Sequence, residues 1–429
     1  MRYTPFSAEL FKKNRAKLYA QLPPKSIVVV SSNDIMPTNA DGTMGFRQNS
    51  DLFYLSGLDQ EETMLLIYPD APEDHLREIA FVRETSELIA IWEGHKYTKE
   101  EATAASGIHT VCWLEEFKTM LPMLMHHCEN VYLNTNENDR YVHTNQYRDL
   151  RFAKDLKDQY PLHEYQRAAT IFRSLRAVKS GYEVELLQMA CDITEKAFRR
   201  VLKFVKPGVT EYEIEAEIIH EFIKNRASGH AYNPIIASGK NACVLHYNDN
   251  NQVCKDGEVI LFDFGAEYAN YNADLSRSIP VNGKFTARQK AVYNAVLKVM
   301  TEAKKMLVEG TILDEYHKEV GLVMQSELIE LGLLDKHAVA KQDPNMPLYK
   351  KYFMHGTSHF LGLDVHDIGN RYEKMKAGMI FTCEPGIYIP EEGLGIRLEN
   401  DILITTNGNI DLMQNIPITA DEIESLMNE

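Results

Sequence analysis

The C-terminal half of this chain writes one pattern of chemistry twice, and that repetition constrains its fold more than any other feature. His246 is followed by Asp263 and Asp274 at intervals of 17 and 11 residues, and His366 by Glu384 and Glu399 at intervals of 18 and 15. The first acid of each set ends a short apolar stretch that a glycine opens six residues earlier, Gly257 before Asp263 and Gly378 before Glu384. A repeat of this kind predicts two half-sites related by a pseudo-twofold axis, with four carboxylates converging between buried strands.

Four carboxylates in one apolar cleft repel each other and resist desolvation, so they must be protonated, paired with bases or neutralised by cations. Two divalent metals would cancel their formal charge, and a nearby imidazole would complete the ligand set. The segment Met354 to Asp367 holds His355, His359 and His366 among glycines and aliphatic residues. His359 is the best-placed ligand. Burying three imidazoles without partners would be costly, which argues that they serve the site. His109, His126, His127 and His143 read as surface residues.

The 429 residues suffice for two domains, and a net charge of −16 works against binding to nucleic acid or anionic membrane. No stretch approaches the roughly 20 uninterrupted apolar residues of a membrane helix, and the N-terminus lacks the apolar run of a secretory signal. A cytoplasmic location is therefore expected. The six cysteines show no paired short spacing, so neither a disulfide framework nor a zinc ribbon is indicated.

Residues 1–172 read as an α/β domain with strands at Ser26–Ser31, Met64–Tyr68 and Glu78–Val82, and without a glycine-rich phosphate loop. A second domain, 173–429, opens with the capping box of Ser180 and Glu183. Helices follow from Ser180 to the Pro207-Gly208 break and from the Thr210/Glu213 box to Ala227, then apolar strands. The order recurs from the Thr286/Gln289 box, through a helix of about 313–332, to strands around Glu384 and Glu399. This is an α+β unit with internal duplication.

Alternation along a strand sets Val259, Leu261 and Asp263 on one face. A hairpin turning at Tyr268-Ala269 would place Asp263 directly opposite Asp274. The same alternation puts Arg397 and Asp401 on the face of Glu399 and turns Asn400 away. The short interval from Glu384 to Glu399 predicts a tight hairpin.

These residues resemble the pita-bread metallopeptidases, and within them aminopeptidase P, over nearly the whole chain. The N-terminal segment Arg47-Gln-Asn-Ser-Asp-Leu-Phe-Tyr-Leu-Ser-Gly57 is similar to the creatinase-type domain of that family. Asp263, Asp274, His359, Glu384 and Glu399 match its five metal ligands. The resemblance implies that Asp263 chelates one metal, that His359 and Glu384 hold a second, and that Asp274 and Glu399 bridge the two, which are most often Mn2+. It implies supporting roles for His246, His355 and His366 around the substrate and for Tyr388 and Arg397 in binding it.

The implied reaction is hydrolysis of an Xaa-Pro peptide bond by a water activated between the cations, with Glu384 as proton shuttle. Homo-oligomers, dimers or tetramers, are implied as well. Trp92 resembles a tryptophan that some bacterial members lend to a neighbouring active site, the alternative being a core aromatic of the N-terminal domain. Asn400 departs from the acid that many members carry there. Prolidase, restricted to Xaa-Pro dipeptides, is the nearest alternative, and a pita-bread binding protein without catalysis the more distant one.

Overall fold

A computed structural model describes residues 3–141 and 144–429; His143 lies outside the described residues. The chain divides into two compact units, Tyr3–Arg176 and Ala177–Glu429. In the first, six strands form a mixed sheet. Ser26–Ser31 pairs antiparallel with Met64–Ile67 and parallel with Asn130–Leu133. Glu78–Val82 continues it on one side, followed by Thr110–Trp113, and Glu164–Arg167 closes the other side. Ser26–Ser31 is buried along its whole length, as a central strand covered on both faces must be. The helix Ala169–Ala177 is held to this unit by Phe172 and Leu175 in the core, and by Arg176, whose guanidinium pairs with Asp51 at 2.8 Å with only 3% of its side chain exposed.

In the second unit the predicted repeat is visible element by element. Each half starts with two helices that pack on each other, Gly181–Phe204 with Glu211–Lys224 and Ala287–Met306 with Leu313–Glu330. The capping boxes at Ser180/Glu183, Thr210/Glu213 and Thr286/Gln289 all form, each satisfying backbone N–H groups that the first helical turn leaves open. A three-stranded sheet follows in each half. Val259–Asp263 lies between Ile235–Ser238 and Ser276–Pro280, and Asn400–Thr405 lies between Ile380–Cys383 and Gly408–Asp411. Gly257 and Gly378, which open the acid-bearing strands, have φ of 79° and 91°, a left-handed turn that a side chain would strain.

Each sheet extends into a hairpin just past its acid, Ala266–Tyr268 with Tyr271–Asn272 and Gly386–Ile389 with Leu394–Arg397. Pairing lapses at Asp274, Glu384 and Glu399, while Asp263 is still paired as the last residue of its strand. In the second half Cys383 faces Asn400 and Gly386 faces Arg397, so Glu384 and Glu399 fall opposite one another across the gap, beneath the tight loop Pro390–Gly393. In the first half the register differs from expectation: Asp263 faces Ser276, not Asp274. The turn sits one residue later, at Ala269 and Asn270, whose φ values of 52° and 66° make the left-handed pair that two-residue hairpins favour. A shift of two positions preserves the side-chain alternation, so Asp263 and Asp274 still share a face. Among the described residues no helix is long and apolar enough to cross a membrane.

Candidate metal centre

The two halves meet where their acids are. The Glu399 N–H donates to the Ser276 carbonyl at 3.0 Å, and the Ser276 hydroxyl donates to Glu399 Oε2 at 2.6 Å, so a strand end of the first half holds a carboxylate of the second. Tyr232, in the irregular stretch before Ile235–Ser238, places its hydroxyl 2.5 Å from both Asp263 Oδ1 and Asp274 Oδ1. The Asp274 N–H donates to Asp401 Oδ2 at 3.1 Å. Glu384 receives the Thr382 hydroxyl at 3.3 Å, and its N–H donates to the Thr357 carbonyl at 2.9 Å.

His359 sits above these acids, and its ring is oriented by its own backbone. Nδ1 lies 2.9 Å from the Phe360 carbonyl, which fixes the proton there and leaves Nε2 with its lone pair toward Asp274 Oδ2 at 3.4 Å and Glu384 Oε1 at 3.5 Å. The ligand atoms of Asp274, His359 and Glu399 lie within 4.8 Å of one another, close enough to share one metal ion. Asp263 joins the group through Tyr232 and through Arg397, whose Nη2 is 2.6 Å from Asp263 Oδ2.

Arg397 organises the rim. Its Nε donates to the Ser276 hydroxyl at 2.8 Å and its Nη1 to the Tyr388 hydroxyl at 2.9 Å. The Tyr388 hydroxyl in turn lies 2.8 Å from His355 Nε2, and His355 Nδ1 lies 3.6 Å from Glu384 Oε2. His366 is exposed, but its ring meets that of His359 edge-on at 4.4 Å. His246 is exposed and lies near enough to His355 to add to the lowering of its pKa. His230 stands apart, edge-on to Phe222 at 5.1 Å.

Burial dominates the electrostatics. It pushes the carboxyls of Asp274 and Glu399 well above the ordinary range, reinforced by Asp263 in the first case and by Asp274 in the second. Glu384 is pushed up to about 7, again first by burial, with His359 opposing. Burial and the Arg397 charge drive His355 down to about 3, so its imidazole is neutral at physiological pH. A desolvated group of carboxyl oxygens with one imidazole lone pair, faced by the Arg397 guanidinium, fits divalent cations: hard oxygens and a borderline nitrogen are the donors such ions take.

Reasoning from the sequence missed four partners: Tyr232, Ser276, Thr382 and the role of Asp401. Ser276 follows from the correct hairpin register, and Thr382 from its alternation with Glu384. Tyr232 carries no periodic signal, because it lies outside a strand. Asn400 turns away from the cluster as expected: its Oδ1 accepts from Arg277 Nη2 at 2.8 Å and its Nδ2 donates to Asp411 at 2.9 and 2.8 Å. The departure at this position therefore alters a buried Arg277–Asn400–Asp411 chain rather than the carboxylate face.

Residues 185–406 match Metallopeptidase family M24, and the chain belongs to that family. Residues 11–132 match Aminopeptidase P, N-terminal domain, which sets it in the aminopeptidase P group of these enzymes. It is 33% identical to Xaa-Pro aminopeptidase of Haemophilus influenzae over 98% of this chain and 97% of that one. Human Xaa-Pro aminopeptidase 3 is 31% identical over 94% of this chain and 81% of the relative. Among solved structures, Pseudomonas aeruginosa aminopeptidase PepP superposes with a TM-score of 0.90 at 30% identity, covering 100% of this chain and 99% of that one. Escherichia coli aminopeptidase P with the inhibitor Pro-Leu gives 0.88 at 31% identity and 99% coverage of both chains.

Proposed function

We propose that this chain is a metal-dependent aminopeptidase that releases the N-terminal residue from peptides with proline in second position. The observation that carries the reading is the gathering of Asp274, Glu384 and Glu399 around His359, with Asp263 joined to them through Tyr232 and Arg397, in a chain similar over 98% of its length to an Xaa-Pro aminopeptidase. Two Mn2+ ions are the proposed occupants, and Asp263, Asp274, His359, Glu384 and Glu399 would hold them. Bound cations supply Lewis acidity, lowering the pKa of water and polarising the scissile carbonyl.

The chain's own groups do the rest. Glu384 accepts the proton of the attacking water and returns it to the proline nitrogen as the C–N bond breaks. That nitrogen has no hydrogen before cleavage, so recognition must act on ring shape. The half-buried ring of His355, backed by Tyr388, offers a neutral aromatic surface, since burial and Arg397 keep His355 uncharged. Arg397 holds Tyr388 and Asp263 in register. His366 and His246 donate to the carbonyl oxygen as negative charge develops on it.

A cytoplasmic location is supported by six free cysteines, the state expected in a reducing compartment. Self-association is supported by the helix Glu87–Glu93, which buries none of its residues; Trp92 is 81% exposed there and is not a core aromatic. The deciding experiment compares an Xaa-Pro-Yaa tripeptide with the Xaa-Pro dipeptide on Mn2+-loaded and chelated protein. Release of the first residue from the tripeptide, lost on chelation, is the expected result. Cleavage of the dipeptide alone would make the enzyme a prolidase, and silence on both would end the peptidase reading.

A further inference from the structure

Lys179 Nζ and Asp367 Oδ2 form an ion pair of 3.0 Å, and each side chain is only 1% exposed. Burying such a pair carries a desolvation cost that its attraction offsets only with good geometry, and apolar residues often join two segments as firmly. What the pair adds is direction. Asp367 follows His366 and closes a loop: its N–H donates to the Phe360 carbonyl at 2.9 Å, while its Oδ1 accepts the Ile368 N–H at 2.9 Å. The crown of the loop is tied to Asn272, whose N–H and Nδ2 reach the Gly362 carbonyl at 3.0 and 3.1 Å and whose Nδ2 reaches that of Leu363 at 2.9 Å.

The space under the loop is filled by the charges themselves. A Cβ at Gly362 would lie 2.2 Å from Asp367 Oδ2 and 2.9 Å from Lys179 Cε, so glycine is required for the pair to pass beneath. Lys179 is itself anchored, its N–H donating to the Gly378 carbonyl at 2.8 Å at the start of the strand that leads to Glu384. The one ring that this loop carries toward the metal ligands is His366, edge-on to His359 at 4.4 Å. The Asp367 carboxylate, gripped at both oxygens, fixes the backbone from which that ring projects.

We propose that Lys179 and Asp367 are positioning residues for His366, setting the imidazole against His359 so that it reaches the developing oxyanion. The inference rests on the reading of His366 as a donor to the substrate. Its test is a double-mutant cycle of Asp367→Asn and His366→Ala, read as kcat, KM, metal content and Tm with a tripeptide substrate. Asp367→Asn should lower kcat by about 10- to 100-fold with KM and metal content close to the parent's, the scale of a misplaced catalytic group. The loss should vanish in the His366→Ala background.

Equal losses in both backgrounds, or a lower Tm with parental kcat, would overturn the proposal and leave the pair purely structural. Parental kcat in His366→Ala alone would instead overturn the role given to His366. Should Asp367→Asn fail to fold, the volume-conserving double substitution Lys179→Met with Asp367→Leu removes both charges together. It should fold, take up metal and show the same kcat loss; parental kcat in that variant also refutes the positioning role.

Discussion

Tyr232 bears the densest duty of any single side chain outside the ligands. One hydroxyl faces Asp263 and Asp274 together, and burial with both carboxylates raises its pKa far above the ordinary phenol, so it remains a donor at every working pH. Tyr232→Phe should weaken metal affinity by roughly 10- to 100-fold, the usual effect of losing a hydrogen bond behind a ligand, with the fold intact. Titration of the stripped protein with Mn2+ measures this. Glu384→Gln removes the proton carrier, and kcat should fall by about 100- to 10,000-fold, while KM for the tripeptide changes far less. The raised carboxyl pKa values fix a sign as well. Without metal, Asp274, Glu384 and Glu399 retain protons at pH values where exposed acids have lost them. Metal must displace those protons, so affinity rises with pH as these acids ionise, and uptake at pH 6.5, below the value of about 7 for Glu384, releases protons. Calorimetry in buffers of differing ionisation enthalpy detects the release; a heat independent of buffer would contradict it.

At the scale of elements, what the sequence disclosed and what it withheld divide on physical lines. The strands Ser26–Ser31 and Glu78–Val82 and the boxes at Ser180, Thr210 and Thr286 stand where expected, because apolar runs and capping chemistry are local signals. The sequence predicts the Asp263–Asp274 hairpin two residues out of register, since Ala269-Asn270 is a weak form of the left-handed turn signature. The buried acid of helix Arg148–Gln159 was invisible altogether. Asp149 lies under the N-terminal sheet, accepts from the Ser31 hydroxyl and is pushed up to about 7 by burial, with Asp51 adding to the rise. A folded-state pKa above the unfolded value of about 3.9 means that the folded chain holds a proton the unfolded chain releases. Stability from this group is present at low pH and is lost as pH climbs toward 7. Asp149→Asn cannot titrate, so the fall in Tm between pH 5 and pH 8 should flatten. A slope equal to the parent's would show that the acid is already ionised in the fold.

For the whole molecule, the unexplained surface is the helix Glu87–Glu93. Ser86 caps it and Arg83 pairs with Glu93 at its end, so it is a built element rather than a stray turn. Yet Leu88, Ile91 and Trp92 are 66%, 78% and 81% exposed, a cluster of large apolar groups that monomeric proteins seldom present together. Covering each would contribute about 1.5–3 kcal/mol, enough to matter for association even after the entropy of docking is subtracted. A second copy of this chain is the proposed cover. The double substitution Ile91→Asp with Trp92→Lys changes only exposed side chains, so the unfolding free energy of the dilute protein should stay within about 1 kcal/mol of the parent's. Mass measured by light scattering should fall to that of a smaller assembly. If Trp92 also reaches a neighbouring active site, Trp92→Ala alone should raise KM for the tripeptide while leaving kcat and metal content nearly unchanged. Parental mass and parental KM in these variants would free the helix from any role in assembly and leave each subunit's metal centre complete without its neighbour.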